Sequence, residues 1–390
     1  MAPKISIIMT TYNVDKTIEK SISSVFEQTL RELELICIDG DSTDGTCNRI
    51  KEYARKETRI KLFRQTRPSL GAAKNQGIES ATGKFITFLD ADDYYVDKQS
   101  LEKMYNACIK ENVKVCGALR STVFSDGTVV KENLHRSDCE GNPQGKIIRY
   151  ADKQYDYHFH SYIYDREMII NSDARFAEAK AYDDTHFFIR AMLKAEVFLV
   201  IPVELYRYRC GPAYDWGMER ANDAMKSLTD QLVISSENNL ARLHWLTVQR
   251  INYEYGHIFE KNIRLGDITL LRDLILANEY VNPELLRQVT ENPPPEQDYL
   301  EPMIHRKYAD MPLRTLDCQY AAPYIFEPLW NILFCGSKDN GTKYERIEEL
   351  TDELSRIKLS KTYKLSCLIA YFPQKVKRVF NKIFRNETVR

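Results

Sequence analysis

The sequence predicts an α/β protein with a Rossmann-like, mostly parallel central sheet over residues 1–215, followed by a mainly helical C-terminal region. Three observations carry that expectation. Short apolar runs alternate with amphipathic segments through the first hundred positions, which is the signature of βαβ units. Polar clusters fall at the ends of those runs, where parallel sheets gather ligands. Beyond Gly211-Pro212 the apolar positions recur at helical spacing through Met225 to Ile258 and Leu270 to Leu286.

Ile5 to Met9 reads as the first strand, and its apolar run is too short for the core of a signal peptide. A helix near Lys16 to Gln28, a strand over Leu33 to Ile38, a helix near Cys47 to Lys56 and strands over Ile60 to Phe63 and Phe85 to Leu89 follow. Residues 1–100 form one half of the domain. The other half, 101–215, mixes short strands such as Thr128 to Val130 and Val197 to Pro202 with a helix near Asp184 to Lys194. A helical region over 216–355 is interrupted by the stiff run Pro293-Pro294-Pro295. The last segment, 356–390, is basic and amphipathic: Lys361 to Arg385 holds seven lysines and arginines and no acidic residue. Such a tail suits either an anionic membrane surface or a terminal helix packed on its neighbours, and Pro373 breaks it in two in both cases.

Composition narrows the field. With 55 basic and 56 acidic residues the net charge is −1, which argues against a surface tuned to nucleic acid. The nine cysteines show no paired metal-type spacing, so reduced thiols in a cytoplasmic setting are expected and a zinc site is not. No run of about 18 apolar residues is present, so any work at a membrane is expected from its cytoplasmic face, peripherally.

The stretch Phe85-Ile86-Thr87-Phe88-Leu89-Asp90-Ala91-Asp92-Asp93 is an apolar strand ending in carboxylates. Side chains repeat every second residue on a strand, so Asp90 and Asp92 can share a side. Two hard oxygen ligands there suit Mg²⁺ or Mn²⁺ completed by substrate phosphates and waters, although Asp-x-Asp is also common in turns and caps. Asp93 is expected to cap the next turn. Asp39 ends the second strand, where a carboxylate can accept from an imide N–H such as that of uracil; Ser42, Thr43 and Asp44 read as caps of the following helix.

In this order the pieces resemble the family-2 glycosyltransferases. The matching segments are Ile5 to Asn13, Ile38 to Thr46, Leu70 to Ile78 and Phe88 to Asp93, with weaker similarity through Tyr162 to Leu193 and Pro202 to Gly211. The resemblance implies a GT-A fold, a nucleotide-sugar donor with uridine as its nucleoside, and roles for the matched positions. Thr11, Tyr12 and Asn13 would line the nucleotide pocket, Asp39 would read the base, Asp90 would approach the ribose, and Asp92 would bind the metal on the diphosphate. Asp41, Asn75 and Ala91 would complete that pocket, Lys74 would meet a phosphate as a point charge, and Arg209 would offset charge on the departing diphosphate. Thr10, Gly40 and Lys74 depart from the family's commonest pattern.

Asp183-Asp184 looks like the family's acidic pair ahead of a helix, whose second member is the usual base, so Asp184 is the expected catalytic base and Asp183 a cap of the helix. His158 and His160, alternating on an apparent strand, are candidate acceptor contacts. The expected reaction is a single inverting displacement that moves a hexose or N-acetylhexosamine from a UDP-sugar to a glycan hydroxyl, the basic tail pointing to a lipid-linked acceptor. The helical region is a candidate surface for acceptor, partner chain or self-association. A nucleotidyltransferase is disfavoured, because no glycine- and basic-rich phosphate loop follows the first strand; a non-catalytic sugar-nucleotide- or glycan-binding protein on the same fold is the remaining alternative.

Overall fold

A computed structural model describes residues 2–132, 135–139, 141–211 and 215–291. The proline run at 293–295, the end of the helical region and the basic tail lie outside these residues. The chain divides into two units, Met1–Asp215 and a second beginning at Trp216.

The first unit is a twisted sheet covered by helices. Strands β1 (Ile5–Thr11), β2 (Leu33–Asp39) and β3 (Ile60–Arg64) alternate with helices α1 (Ile18–Phe26), α2 (Thr46–Lys56) and α3 (Leu70–Ser80), and β4 (Phe85–Phe88) and β5 (Tyr94–Tyr95) follow. Helix α4 (Ser100–Glu111) leads to β6 (Val115–Val123), β7 (Val129–Lys131), the one-turn helix α5 (Arg136–Cys139), β8 (Lys146–Arg149) and α6 (Tyr150–Lys153). Strand β9 (Tyr162–Asp165), α7 (Arg166–Ile170), α8 (Asp183–Ala195) and β10 (Val197–Arg209) complete it.

The sheet order is β3-β2-β1-β4-β9-β6-β10-β5, with β7 beside β6 and β8 beside β10. Strands β1 to β4 run parallel; β9 is antiparallel to β4 and to β6, and β10 is parallel to β6. The carboxyl ends of β1, β2, β4, β6 and β10 therefore share one edge. Strands β1 and β2 are buried almost throughout, as continuous apolar runs in a doubly covered sheet should be.

Two departures from the sequence reading have local causes. Strand β10 runs on to Arg209 although Pro202 was expected to end it: the pairing with β6 shifts register between Val200 and Glu204, and a proline without an N–H is tolerated at such an irregularity. His158 and His160 are not on a strand. His158 is left-handed at φ 65°, and His160 belongs to the 3₁₀ turn Phe159–Ser161 ahead of β9.

That turn anchors an aromatic core between sheet and helices. The Phe88 ring meets Phe159 at 5.4 Å, Phe176 at 5.0 Å, Phe187 at 5.3 Å and Tyr164 at 6.3 Å, all in edge-on arrangements, while Phe176 and Phe187 stack at 4.3 Å. Such pairs add to the large apolar area each ring buries. In the second unit, α9 (Met218–Glu237), α10 (Ala241–Gln249), α11 (Gly256–Arg264), α12 (Ile268–Ala277) and α13 (Pro283–Glu291) pack around Leu228, Leu232, Leu243, Phe259 and Leu274. A π-helical turn at Arg250–Glu254 separates α10 from α11. Among the described residues no helix is long and apolar enough to cross a membrane.

Phe88→Ala should cost about 3–5 kcal/mol, because it empties the centre of the aromatic cluster beneath the strand-end carboxylates. Chemical denaturation followed by tryptophan-independent far-UV dichroism checks this; an unchanged midpoint would mean that the cluster is not what stabilises this unit.

Candidate active site

The site grows out of the loops after β1, β2 and β4. Thr11 and Asp39 are register partners on adjacent strands, and the Thr11 hydroxyl donates to Asp39 Oδ1 at 2.9 Å. The Ser42 amide and hydroxyl donate to the same carboxylate at 2.9 and 2.7 Å. Burial alone would raise the Asp39 pKa, but these donors outweigh it and hold the group below its ordinary value. Asn13 adopts φ 52°, a conformation asparagine tolerates, and joins the two loops: its amide donates to Ser42 Oγ at 3.0 Å and its Oδ1 accepts from Thr43 N at 2.8 Å. Beside this rigid corner Tyr12 stands 63% exposed. Asp41 does not join it: its carboxylate takes both ends of the Arg64 guanidinium. At Gly40 an added Cβ would come within 2.9 Å of Gln65 Oε1, so a side chain there would have to displace the end of Gln65.

The second cluster lies at the end of β4. Asp92 is exposed and Asp90 half-buried. The Ala91 carbonyl accepts from the Thr17 and Ser21 hydroxyls of the α1 region, which ties the turn to that helix. Burial, with the nearby charges of Asp92 and Asp183, raises the Asp90 pKa against the pull of Lys74. Asp93 is fully buried and is no helix cap. One oxygen accepts from the Tyr206 hydroxyl at 2.7 Å and the other from the Arg209 amide at 2.6 Å, so it binds the turn to the end of β10. Burial, then the Asp90 charge, push its carboxyl up to about 8. The Arg209 side chain itself lies over the Tyr94 ring at 5.2 Å.

Lys74 and Asn75 are buried on α3. Lys74 is 4% exposed, its Nζ lies 2.8 Å from Asp183 Oδ2, and it faces the Phe159 and Phe176 rings at 4.7 and 4.9 Å. Burial would lower its pKa, but Asp183, Asp90 and Asp184 outweigh that and raise it. Asn75 exchanges two hydrogen bonds with the Phe176 backbone, each 2.9 Å. Both side chains are engaged with residues 176–183. Together they join α3 to the chain leading into α8. Gly71 completes the joint, since a Cβ there would sit 1.9 Å from the Ala177 carbonyl.

This joint sets Asp183 and Asp184 at the head of α8, after Tyr182 in the left-handed conformation at φ 59°. Asp183 is spent on Lys74. Asp184 is half-buried, and burial followed by the Asp183 charge push its carboxyl up to about 7, with Lys74 opposing. Asp90, Asp183 and Asp184 thus all act on the buried Lys74, while Asp90 also feels Asp92 and the buried Arg120. Among the described residues no three acidic, histidine or cysteine side chains converge to hold an ion by themselves. A hard divalent cation fits this set only if it brings oxygens of a bound substrate with it, which is how Mg²⁺ and Mn²⁺ commonly bind. Asp93, Tyr206 and the structural part played by Asn75 were not legible in the sequence; only the buried tyrosine on a strand next to the carboxylates could have hinted at them.

Residues 6–172 match the family model described as Glycosyl transferase family 2. The Bacillus subtilis protein described as uncharacterized glycosyltransferase EpsJ is 29% identical over 221 residues, 54% of this chain and 62% of that protein. The Escherichia coli UDP-Glc:alpha-D-GlcNAc-diphosphoundecaprenol beta-1,3-glucosyltransferase WfgD is 38% identical over 110 residues, 28% of this chain and 42% of WfgD. The chain spans less than two thirds of either relative. The structure of S. aureus TarS 1-349 in complex with UDP-GlcNAc superposes with a TM-score of 0.60 at 18% identity, over 80% of this chain and 95% of that one, which identifies the fold as GT-A.

Lys74→Met should destabilise the protein by about 3–5 kcal/mol at pH 8, because it leaves Asp183 buried without its cation. The penalty should shrink toward pH 5, since carboxylates deprived of Lys74 take up protons more readily and lose their charge. Denaturation midpoints of both proteins at the two pH values decide it; a penalty equal at both would show that packing, not charge, is what Lys74 supplies.

Proposed function

Because the chain carries a glycosyl transferase family 2 domain, we propose that it moves a hexose or N-acetylhexosamine from a UDP-sugar to a hydroxyl of a glycan acceptor, with inversion, in cell-surface polysaccharide assembly. The observation that carries the reading is the Asp184 carboxyl, raised to about 7 at the head of α8, beside the buried Lys74 on which the strand-end Asp90 also acts. A base with a pKa near the working pH combines a useful ionised fraction with real proton affinity.

In this mechanism Tyr12 stacks on the base, and Asp39, held ionised by Thr11 and Ser42, accepts the imide N–H. Asp90 approaches the ribose. Asp92 would hold Mn²⁺ or Mg²⁺ together with the diphosphate; when bound, such a cation supplies stabilisation of the negative charge that develops there. Asp184 takes the proton from the acceptor hydroxyl as that oxygen attacks the anomeric carbon, and Lys74 keeps Asp183 in place beside it. Arg209, at the end of β10, offsets charge on the leaving group. No enzyme nucleophile is required. WfgD, by its name, uses a lipid diphosphate acceptor; a lipid-linked acceptor is proposed here too, with the basic segment Lys361 to Arg385 resting on the anionic cytoplasmic face of the membrane.

The first test is a thermal-shift panel of nucleotide diphosphates and nucleotide sugars, with and without Mn²⁺. One uridine sugar should raise the melting temperature in a metal-dependent way, since ligands of the native state stabilise it. No shift with any donor would favour a non-catalytic protein on the same fold.

Asp184→Asn should lower turnover about 10²- to 10⁴-fold with little change in donor affinity, which single-turnover assays and UDP titration can separate. In the unaltered protein, turnover should climb with pH up to about 7 and level off above it, because the base acts only when ionised. A flat profile, or an active Asp184→Asn, would remove Asp184 from the role.

A further inference from the structure

Tyr206 is fully buried in β10, and its hydroxyl reaches both ends of the acidic turn. It accepts from the Asp90 amide at 3.2 Å and donates to Asp93 Oδ2 at 2.7 Å. The Asp93 amide closes the same turn on the Asp90 carbonyl at 3.0 Å. Asp92, the exposed carboxylate, lies inside the loop so formed. The ring of Tyr206 is itself fixed. It lies against His160 at 4.2 Å with a 35° tilt and meets Tyr95 edge-on at 6.4 Å.

His160 is a neutral support. Its Nε2 lies 2.8 Å from Arg120 Nη1, and arginine can only donate, so Nε2 carries a lone pair and the proton sits on Nδ1. Burial and the charges of Arg120 and Lys74 keep the imidazole from protonating. Strands β6 and β10 and the 3₁₀ turn thus converge on one phenol, and the phenol holds the turn after β4.

We propose that Tyr206 is a positioning residue for the donor: its hydroxyl fixes the Asp90–Asp93 turn so that the Asp92 carboxylate is presented to a divalent cation on the nucleotide diphosphate. This rests on the donor reading of the preceding subsection. Three carboxylates in four residues repel one another, and a turn held only by its own backbone would have to be ordered when the cation arrives. The two bonds to one hydroxyl order it beforehand. Tyr206 touches no substrate atom; it acts through Asp90 and Asp93.

Tyr206→Phe keeps the ring on His160 and deletes only the hydroxyl. Calorimetric titration with UDP, in Mn²⁺ and separately in EDTA, should show the Mn²⁺-dependent affinity reduced about 10- to 100-fold, the range typical when a support of a metal ligand is lost. Affinity in EDTA should not move. Tyr95→Phe, which removes a neighbouring hydroxyl that makes neither bond, should leave both affinities intact. If Tyr206→Phe fails to fold, Asp93→Asn, which gives up one of the two acceptor oxygens, should show the same metal-specific loss. Equal losses in Mn²⁺ and EDTA, or none in either, overturn the inference while leaving the donor site standing. An unaltered protein that takes no UDP, or takes it equally well without Mn²⁺, overturns the donor reading itself.

Discussion

The ion pair between Lys74 and Asp183 joins positions 109 apart in the chain, and the arrangement of the site depends on it. It attaches α3, in the first hundred residues, to the first turn of α8 later in the same unit. A buried pair of this kind is weak evidence for net stability, because desolvation consumes much of what attraction returns. Its value here is positional. With Asp183 committed to Lys74 and Asn75 bonded to the Phe176 backbone, the head of α8 has one place to be, and Asp184 is carried there with it.

The same pair leaves the site short of positive charge. Lys74 faces Asp90, Asp183 and Asp184, and the pKa values of Asp90, Asp93 and Asp184 are all raised by burial and by neighbouring carboxylates. Like-charged carboxylates in a shared, poorly hydrated space either take up protons or attract a cation. The Asp39 corner shows the opposite treatment. There the Thr11 and Ser42 hydroxyls and the Ser42 amide donate to the carboxylate and hold its pKa below the ordinary value. One edge of one sheet thus holds two kinds of carboxylate, fixed by what surrounds them.

Much of this was legible in the sequence because local pattern controls it. The alternation of apolar runs and amphipathic segments placed β1 to β4, α1 and α2 within a few residues but not α3, and the GT-A architecture is the one observed. Strand-end position alone brought Thr11, Asp39, Asp90 and Asp92 to one edge. What escaped was non-local. Lys74 and Asn75 sit in the motif Leu70 to Ile78, and nothing within that motif tells that these two turn inward toward 176–183. Asp93 looks like a cap until β10 is known to pass beside it. Pro202 reads as a strand end unless the register shift that accommodates it is seen. The His158–His160 spacing mimics a strand, yet Phe159 between them is drawn into the aromatic core and the backbone winds into a 3₁₀ turn around it.

The contact between Gly71 and the Ala177 carbonyl leaves no room for even a methyl group. A backbone-to-helix approach that tight makes residues 70–77 and 174–184 a matched set that must change together. Swapping only the later segment between related proteins would bring in a loop cut for a different helix surface. Transplants that carry both pieces preserve the fit, so recombination across this domain, natural or engineered, has its permissible breakpoints outside the two stretches and not between them.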